Sequence, residues 1–250
     1  MRDHAQVVTH LFQRTLNSSH RRSALGWSWP LIMQLTQLAV LVFVFRRVIP
    51  LDIPDYPTFV FTGLIFWNFF SGGLQKASSA VTDNVALANE PRLPTFLLPL
   101  VALMTAGFDL AVAFPLLLVL VITVIGLTWA APFLLVILLI QLVLMAGIAL
   151  LASAAHVHVR DVKPLLSALL LLAFYMTPVF YSLDNLPSGA QAILLINPMS
   201  TLVDGYHTVL IDGEVPDLLP LAILAAVSLA VLAVGAVVFR RLRPGFSDVL

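Results

Sequence analysis

Charge is rationed along this chain in a way that leaves few folds open. The windows 23–45, 56–75, 93–108, 110–159, 164–183, 185–203 and 218–239 contain no Asp, Glu, Lys or Arg. A helix crosses the hydrocarbon core of a bilayer with about 20 apolar residues, and most of these windows reach or approach that length. Hydrophobic residues make up 60% of the chain and charged residues 10%. That is less than half the charge of a soluble domain, and one water-soluble core of this size cannot bury so many apolar runs. The pattern predicts an all-α integral membrane protein. Net charge is zero, so no basic surface argues for nucleic acid. Absence of cysteine excludes disulfides, thiol catalysis and thiolate metal sites.

The windows predict six transmembrane helices, at about 29–45, 57–74, 97–125, 133–155, 165–181 and 218–239. Trp29-Pro30 opens the first, where proline in the first turn costs no hydrogen bond. The third and fourth share one charge-poor run, divided near Gly126 and Pro132. The run 185–203 is equally uncharged but is interrupted by Pro187, Gly189, Asn197 and Pro198. Broken backbone is tolerated in lipid only where protein or a water-filled cavity surrounds it, so this run is expected to dip into the membrane and return. Before the first span, Val7, Val8, Leu11, Phe12 and Leu16 share one helical face; residues 1–24 are expected to form an amphipathic interface helix. The transmembrane domain is then 25–250.

Orientation follows from the basic residues. With both termini inside, eleven Lys and Arg lie on the inner side, and only Arg46 and Arg47 lie outside. The positive-inside rule favours that arrangement. It puts the broken run on the outer side and the cluster Arg160-Asp161-Val162-Lys163 on the inner side.

No motif for hydrolysis, phosphate binding or metal ligation stands out. His156 and His158 are two residues apart, a spacing that does not present both imidazoles to one ion on a helix. Asp109 is the one ionisable side chain inside an expected span, which makes it a functional candidate. It is expected either to lie shallow or to bond a hydroxyl or amide on a neighbouring helix. No second ionisable group falls near it in a span, so no proton relay is expected. Aromatic residues crowd the second and fifth spans. Phe66, Trp67, Phe70, Phe174, Tyr175 and Tyr181 are candidates to line a pathway, since ring faces stack on the apolar faces of sugars. The alternative is ordinary interface anchoring and packing.

Several motifs in order carry a resemblance to a known family. They are Arg21-Arg22-Ser23-Ala24-Leu25-Gly26 with Trp29-Pro30-Leu31; Phe61-Thr62-Gly63-Leu64-Ile65-Phe66-Trp67-Asn68; Asn84 with Pro91-Arg92; Val159-Arg160-Asp161-Val162-Lys163; Thr177-Pro178-Val179-Phe180-Tyr181; Asn197-Pro198-Met199; and Phe246-Ser247-Asp248. Together they resemble the membrane permease of ABC-2 type exporters, in the branch that exports O-antigen, capsular and teichoic-acid polysaccharides. Glu90 and His207 depart from that pattern. The resemblance implies a permease subunit without an ATPase site of its own. It would pair with a second copy of itself and with a separate ABC ATPase dimer, which binds ATP and Mg, so this chain needs no cofactor. It would sit among the lipids of the cell inner membrane and move a lipid-linked polysaccharide. The implied ATPase contacts are Asn84, Glu90, Arg92, His156, His158, Arg160, Asp161 and Lys163. An exporter of a small drug or lipid, or a non-transporting membrane scaffold, are the alternatives.

Overall fold

The computed structural model describes residues 9–13, 16, 28–90, 93–126, 128–183 and 186–246, and every regular element among them is helical. Expectations on Arg92 and on the motif at 21–26 fall outside the described residues, as does most of the expected interface helix; residues 9–13 and 16 of it are helical.

Helix α1 covers Trp29–Phe43 and runs on through a wider turn at Val44–Val48. Helix α2 covers Tyr56–Ser78, and the short α3 covers Val85–Ala88. Two long helices follow, α4 (Leu97–Val124) and α5 (Phe133–His158). Then come α6 (Val162–Met176), two short helices, α7 (Ser188–Leu194) and α8 (Pro198–His207), and the final long α9 (Leu218–Leu242). Four helical stretches are long and apolar enough to cross a membrane: Trp29–Val48, Leu97–Val124, Phe133–His158 and Leu218–Gly245. Each begins within a residue of its expected position. At α4 the glycine that closes the helix explains the stop, since Gly126 adopts φ +97°, open to few other residues.

The second and fifth expected spans differ most from the sequence reading. Helix α2 has ample length at 23 residues, but Thr58, Thr62, Asn68, Ser71, Gln75 and Lys76 dilute its apolarity. It can carry them because it is the core: α1, α4, α5, α6 and α8 all pack on it, and most of its side chains are buried. It also continues past the expected end at residue 74 to Ser78, which brings Lys76 into the helix. Helix α6 stops at Met176 instead of 181, leaving 15 residues. The stop is Pro178, which keeps Thr177 out of the helical region, at φ -98° and ψ 135°.

Helices α5 and α9 form the tightest crossing. A Cβ on Gly147 would stand 2.6 Å from the backbone nitrogen of Leu232, and one on Gly235 would stand 2.5 Å from the Gly147 carbonyl. Small residues at a crossing let two backbones meet where burial from water gives no drive, as inside a bilayer. The outward faces of α1, α6 and α9 remain apolar and exposed, with Met33, Leu169 and Leu229 among them.

Candidate functional site

Two places gather the polar groups singled out in the sequence, one at each end of the bundle. At the end expected to face inward, called the inner end as its opposite is called the outer, the turn after α2 meets the turn between α5 and α6. Lys163 donates from Nζ to Ser79 Oγ at 2.9 Å, and Ser79 Oγ donates to Asp83 Oδ2 at 2.7 Å. This three-residue chain ties two loops that are 84 positions apart in sequence. Neither Ser79 nor Asp83 was marked from the sequence; a hydroxyl between two charges has no periodic signature. Asn84 donates from Nδ2 to the Ala80 carbonyl, which holds the turn into α3. His156 is buried in the last turns of α5, and its Nδ1 has no hydrogen-bond partner among the described residues. His158 is exposed; its ring lies 5.8 Å from that of Phe246, which packs edge-on against Phe239 at the end of α9. The tail is thereby fixed beside the same turn. Glu90, Arg160 and Asp161 are exposed. Asp161 stands at the start of α6 without capping it through its side chain.

The outer end is fastened differently. Asn197 caps α8, accepting from the Met199 amide at 3.1 Å. Its amide nitrogen also reaches the end of α6, donating to Thr177 Oγ1 at 2.8 Å and to the Ala173 carbonyl at 3.2 Å. Ser200 Oγ donates to the Met176 carbonyl at 2.9 Å. Orphan carbonyls at a helix end need such partners, and here one Asn-Pro-Met turn supplies them. Farther along α8, Tyr206 lies flat on Phe66 with ring centres 3.5 Å apart and donates its hydroxyl to Gln141 Oε1 at 2.7 Å. Gln141 passes the chain on to the Phe66 carbonyl. His207 stacks on Phe59 and donates from Nε2 to the Phe59 carbonyl at 3.0 Å. Val179 completes the seam, because a Cβ on Gly63 would come within 2.9 Å of the Val179 Cα.

The six aromatics proposed as a lining differ in exposure, although Trp67 and Phe174 touch with ring centres 5.6 Å apart. Phe66, Trp67 and Phe70 are buried in the core of the bundle, Phe66 under Tyr206. Within this subunit they pack in the core, as apolar rings on the most enclosed helix do. Phe174 and Tyr181 are half-buried and Tyr175 is 61% exposed. These three meet around Phe180 in edge-on and tilted contacts that extend to Phe45.

Asp109 has a partner the sequence reading excluded. Lys76 Nζ lies 2.6 Å from Asp109 Oδ2, within reach because α2 runs a turn longer than expected. A paired charge at the face of a bundle is the usual resolution for an acid in a span.

An all-helical bundle with a clasped inner turn and a broken, deeply anchored outer segment fits one family by sequence. A family model described as ABC-2 type transporter matches residues 6–211. The chain belongs to the ABC-2 type transporter family. This ABC-2 protein is 32% identical over 250 residues to the O-antigen export system permease protein RfbA of Myxococcus xanthus, covering 97% of this chain and 94% of that relative. It is 24% identical to the protein of the same name from Klebsiella pneumoniae, over 98% and 93% of the two chains. The polysialic acid transport protein KpsM of Escherichia coli is 24% identical over 94% and 92%. All three alignments run through the inner turn and the outer clasp alike.

Proposed function

We propose that this chain is the transmembrane permease subunit of an ABC exporter that moves a lipid-linked, O-antigen-like polysaccharide across the cytoplasmic membrane. The observation that carries this reading is full-length similarity to relatives named for O-antigen export and polysialic acid transport. In this reading the helix count is six: α2 spans within the shelter of its neighbours, and α6 spans together with the non-helical Thr177–Tyr181 segment. Helices α7 and α8 form the re-entrant outer element between spans five and six, and both termini are cytoplasmic. A second copy completes the pathway, since the exposed apolar faces of α1 and α6 need lipid or protein cover.

A separate ATPase supplies energy. Its contacts are the inner turns, with Asn84, Glu90, Arg92, His156, His158, Arg160, Asp161 and Lys163. The clasp Lys163–Ser79–Asp83 bridges the two turns, so a push on one reaches the other and, through them, α2 and α6. Rigid-body shifts of packed helices are how such inputs travel. Phe174, Tyr175 and Tyr181 offer ring faces to the sugar chain at the outer half, where a passing polymer requires contact without deep pockets.

Co-purification in lipid with the cognate ATPase subunits tests this directly. The expected result is a stable complex whose ATP hydrolysis rises with the lipid-linked glycan. Failure to form any complex, or hydrolysis indifferent to glycan, removes the export reading.

A further inference from the structure

Helix α1 inverts the usual rule of burial. Its 15 residues are mostly apolar, yet the one buried among them is Gln34, at 6% exposure. An amide turned inward from an otherwise lipid-like helix is costly unless something pairs with it. Gln34 lines a cleft of about 820 Å³ between α1, α2 and α4. That volume is in the range of small-molecule sites.

Three helical faces converge there. Gln34 and Gln37 lie three apart on α1. Asn68, Ser71 and Gln75 follow one face of α2, and Asp109 with Lys76 closes one side. Asn68 donates to Gln37 Oε1 at 3.3 Å, which holds two of the amides in a row across the cleft. Gly72 stands in this row, and a Cβ added to it would meet nothing within 4 Å. Apolar side chains such as Met33, Val40 and Leu110 complete the walls.

The unpaired atoms specify the ligand chemistry. Gln34 Oε1 and Asp109 Oδ1 are both shielded from solvent and without a hydrogen-bond partner among the described residues. Both are acceptors, so the missing partner is a donor. Phosphate offers none when ionised. A cationic head would meet Lys76, whose own charge is already matched by Asp109 at 2.6 Å. Neutral hydroxyl groups fit both acceptors, and the amide nitrogens and Ser71 can serve the oxygens of the same hydroxyls.

We propose that this cleft binds a neutral, hydroxyl-rich sugar ring carrying an apolar aglycone, with its hydroxyls on Gln34, Asp109 and the Asn68–Gln37 pair and its tail along Met33 and Val40. The proposal rests on the export reading and deepens it, because it gives that cargo class a seat in each subunit, away from the aromatic cluster on α6.

The test uses the full chain in lipid nanodiscs without any ATPase. Radiolabelled octyl glucoside, below its micellar concentration, is the probe, and octylphosphocholine of equal chain length is the competitor. Saturable binding is expected, resisting the phosphocholine competitor and weakened by at least about tenfold in Q34L, equal to roughly 1.4 kcal/mol. Gly72→Leu supplies a second variant that keeps every polar group and fills the open space; it should remain monodisperse and lose binding. Unsaturable uptake, equal displacement by phosphocholine, or full affinity in a folded G72L overturns the site. The two readings fail separately: absent glucoside binding with intact glycan-driven hydrolysis sinks the cleft alone, whereas retained binding without such hydrolysis keeps the cleft and sinks export.

Discussion

The two ends of the bundle are held together by different kinds of interaction. At the outer end, polar groups are buried and paired in sequence: Asn197 with Thr177 and Met199, Tyr206 with Gln141, His207 with the Phe59 carbonyl. Rings of α8 lie face to face on rings of α2, and Gly63 admits Val179 at near-backbone distance. At the inner end one exposed lysine, one serine and one aspartate bridge two loops, and the neighbouring Glu90, Arg160 and Asp161 face outward. Buried, fully paired networks resist rearrangement because breaking one bond strands a partner in a medium with no substitute. The clasp runs through buried Ser79, but its charged ends Lys163 and Asp83 are exposed, where water can replace a lost partner at little cost. In the proposed export reading, the outer end is therefore the fixed frame of the subunit, and the inner end is the part that is driven.

This contrast can be broken at the frame first. Gly63→Val should be the most disruptive change, since its Cβ would fall 2.9 Å from the Val179 Cα and the neighbour is backbone. A loss of about 3 kcal/mol is expected, at the upper end for overpacking. Thermal unfolding in lipid should show it as a lower midpoint. Tyr206→Phe comes next: the stack on Phe66 survives, but Gln141 Oε1 loses its donor. The same measurement should fall by about 1 kcal/mol, the order found for buried hydrogen bonds between membrane helices. At the inner end, Ser79→Ala removes the middle of the clasp and should cost less than about 1 kcal/mol in stability. Its effect should appear in transport, as ATP hydrolysis by the assembled complex that no longer rises with glycan. A Ser79→Ala complex that keeps full glycan response would show that the clasp carries nothing.

How much of this was visible in the residues varies by region, and for physical reasons. The long helices were legible because lipid imposes one rule, length without charge, and α4, α5 and α9 begin where it puts them and end within three residues of it. The broken outer run was also legible, because Pro187, Asn197 and Pro198 interrupt a helix wherever it lies. Its anchoring was not: that Tyr206 finds Phe66 depends on how α8 crosses α2, and no local pattern encodes a crossing. The same blindness hid the burial of Phe66, Trp67 and Phe70 within the subunit, since aromatic richness reads alike whether a helix is enclosed or lines a path. Asp109 looked alone because the end of α2 was set at residue 74, two residues before Lys76. Gln34 gave no signal at all; a lone amide in an apolar run gains meaning only when it is the residue that turns inward.

The absence of cysteine makes the central claim directly measurable, because introduced thiols are the sole labelling sites. Two spin-label pairs suffice within the permease–ATPase complex: Asn89→Cys with Leu165→Cys at the inner end, and Asp52→Cys with Ile196→Cys at the outer end. All four positions are exposed. Pulsed distance measurements are compared without nucleotide and with ATP trapped. The account predicts that the distance between the inner pair changes by more than about 2 Å, the scale of helix shifts in switching proteins. The outer pair should keep its distance. A moving outer pair beside a motionless inner end would contradict it.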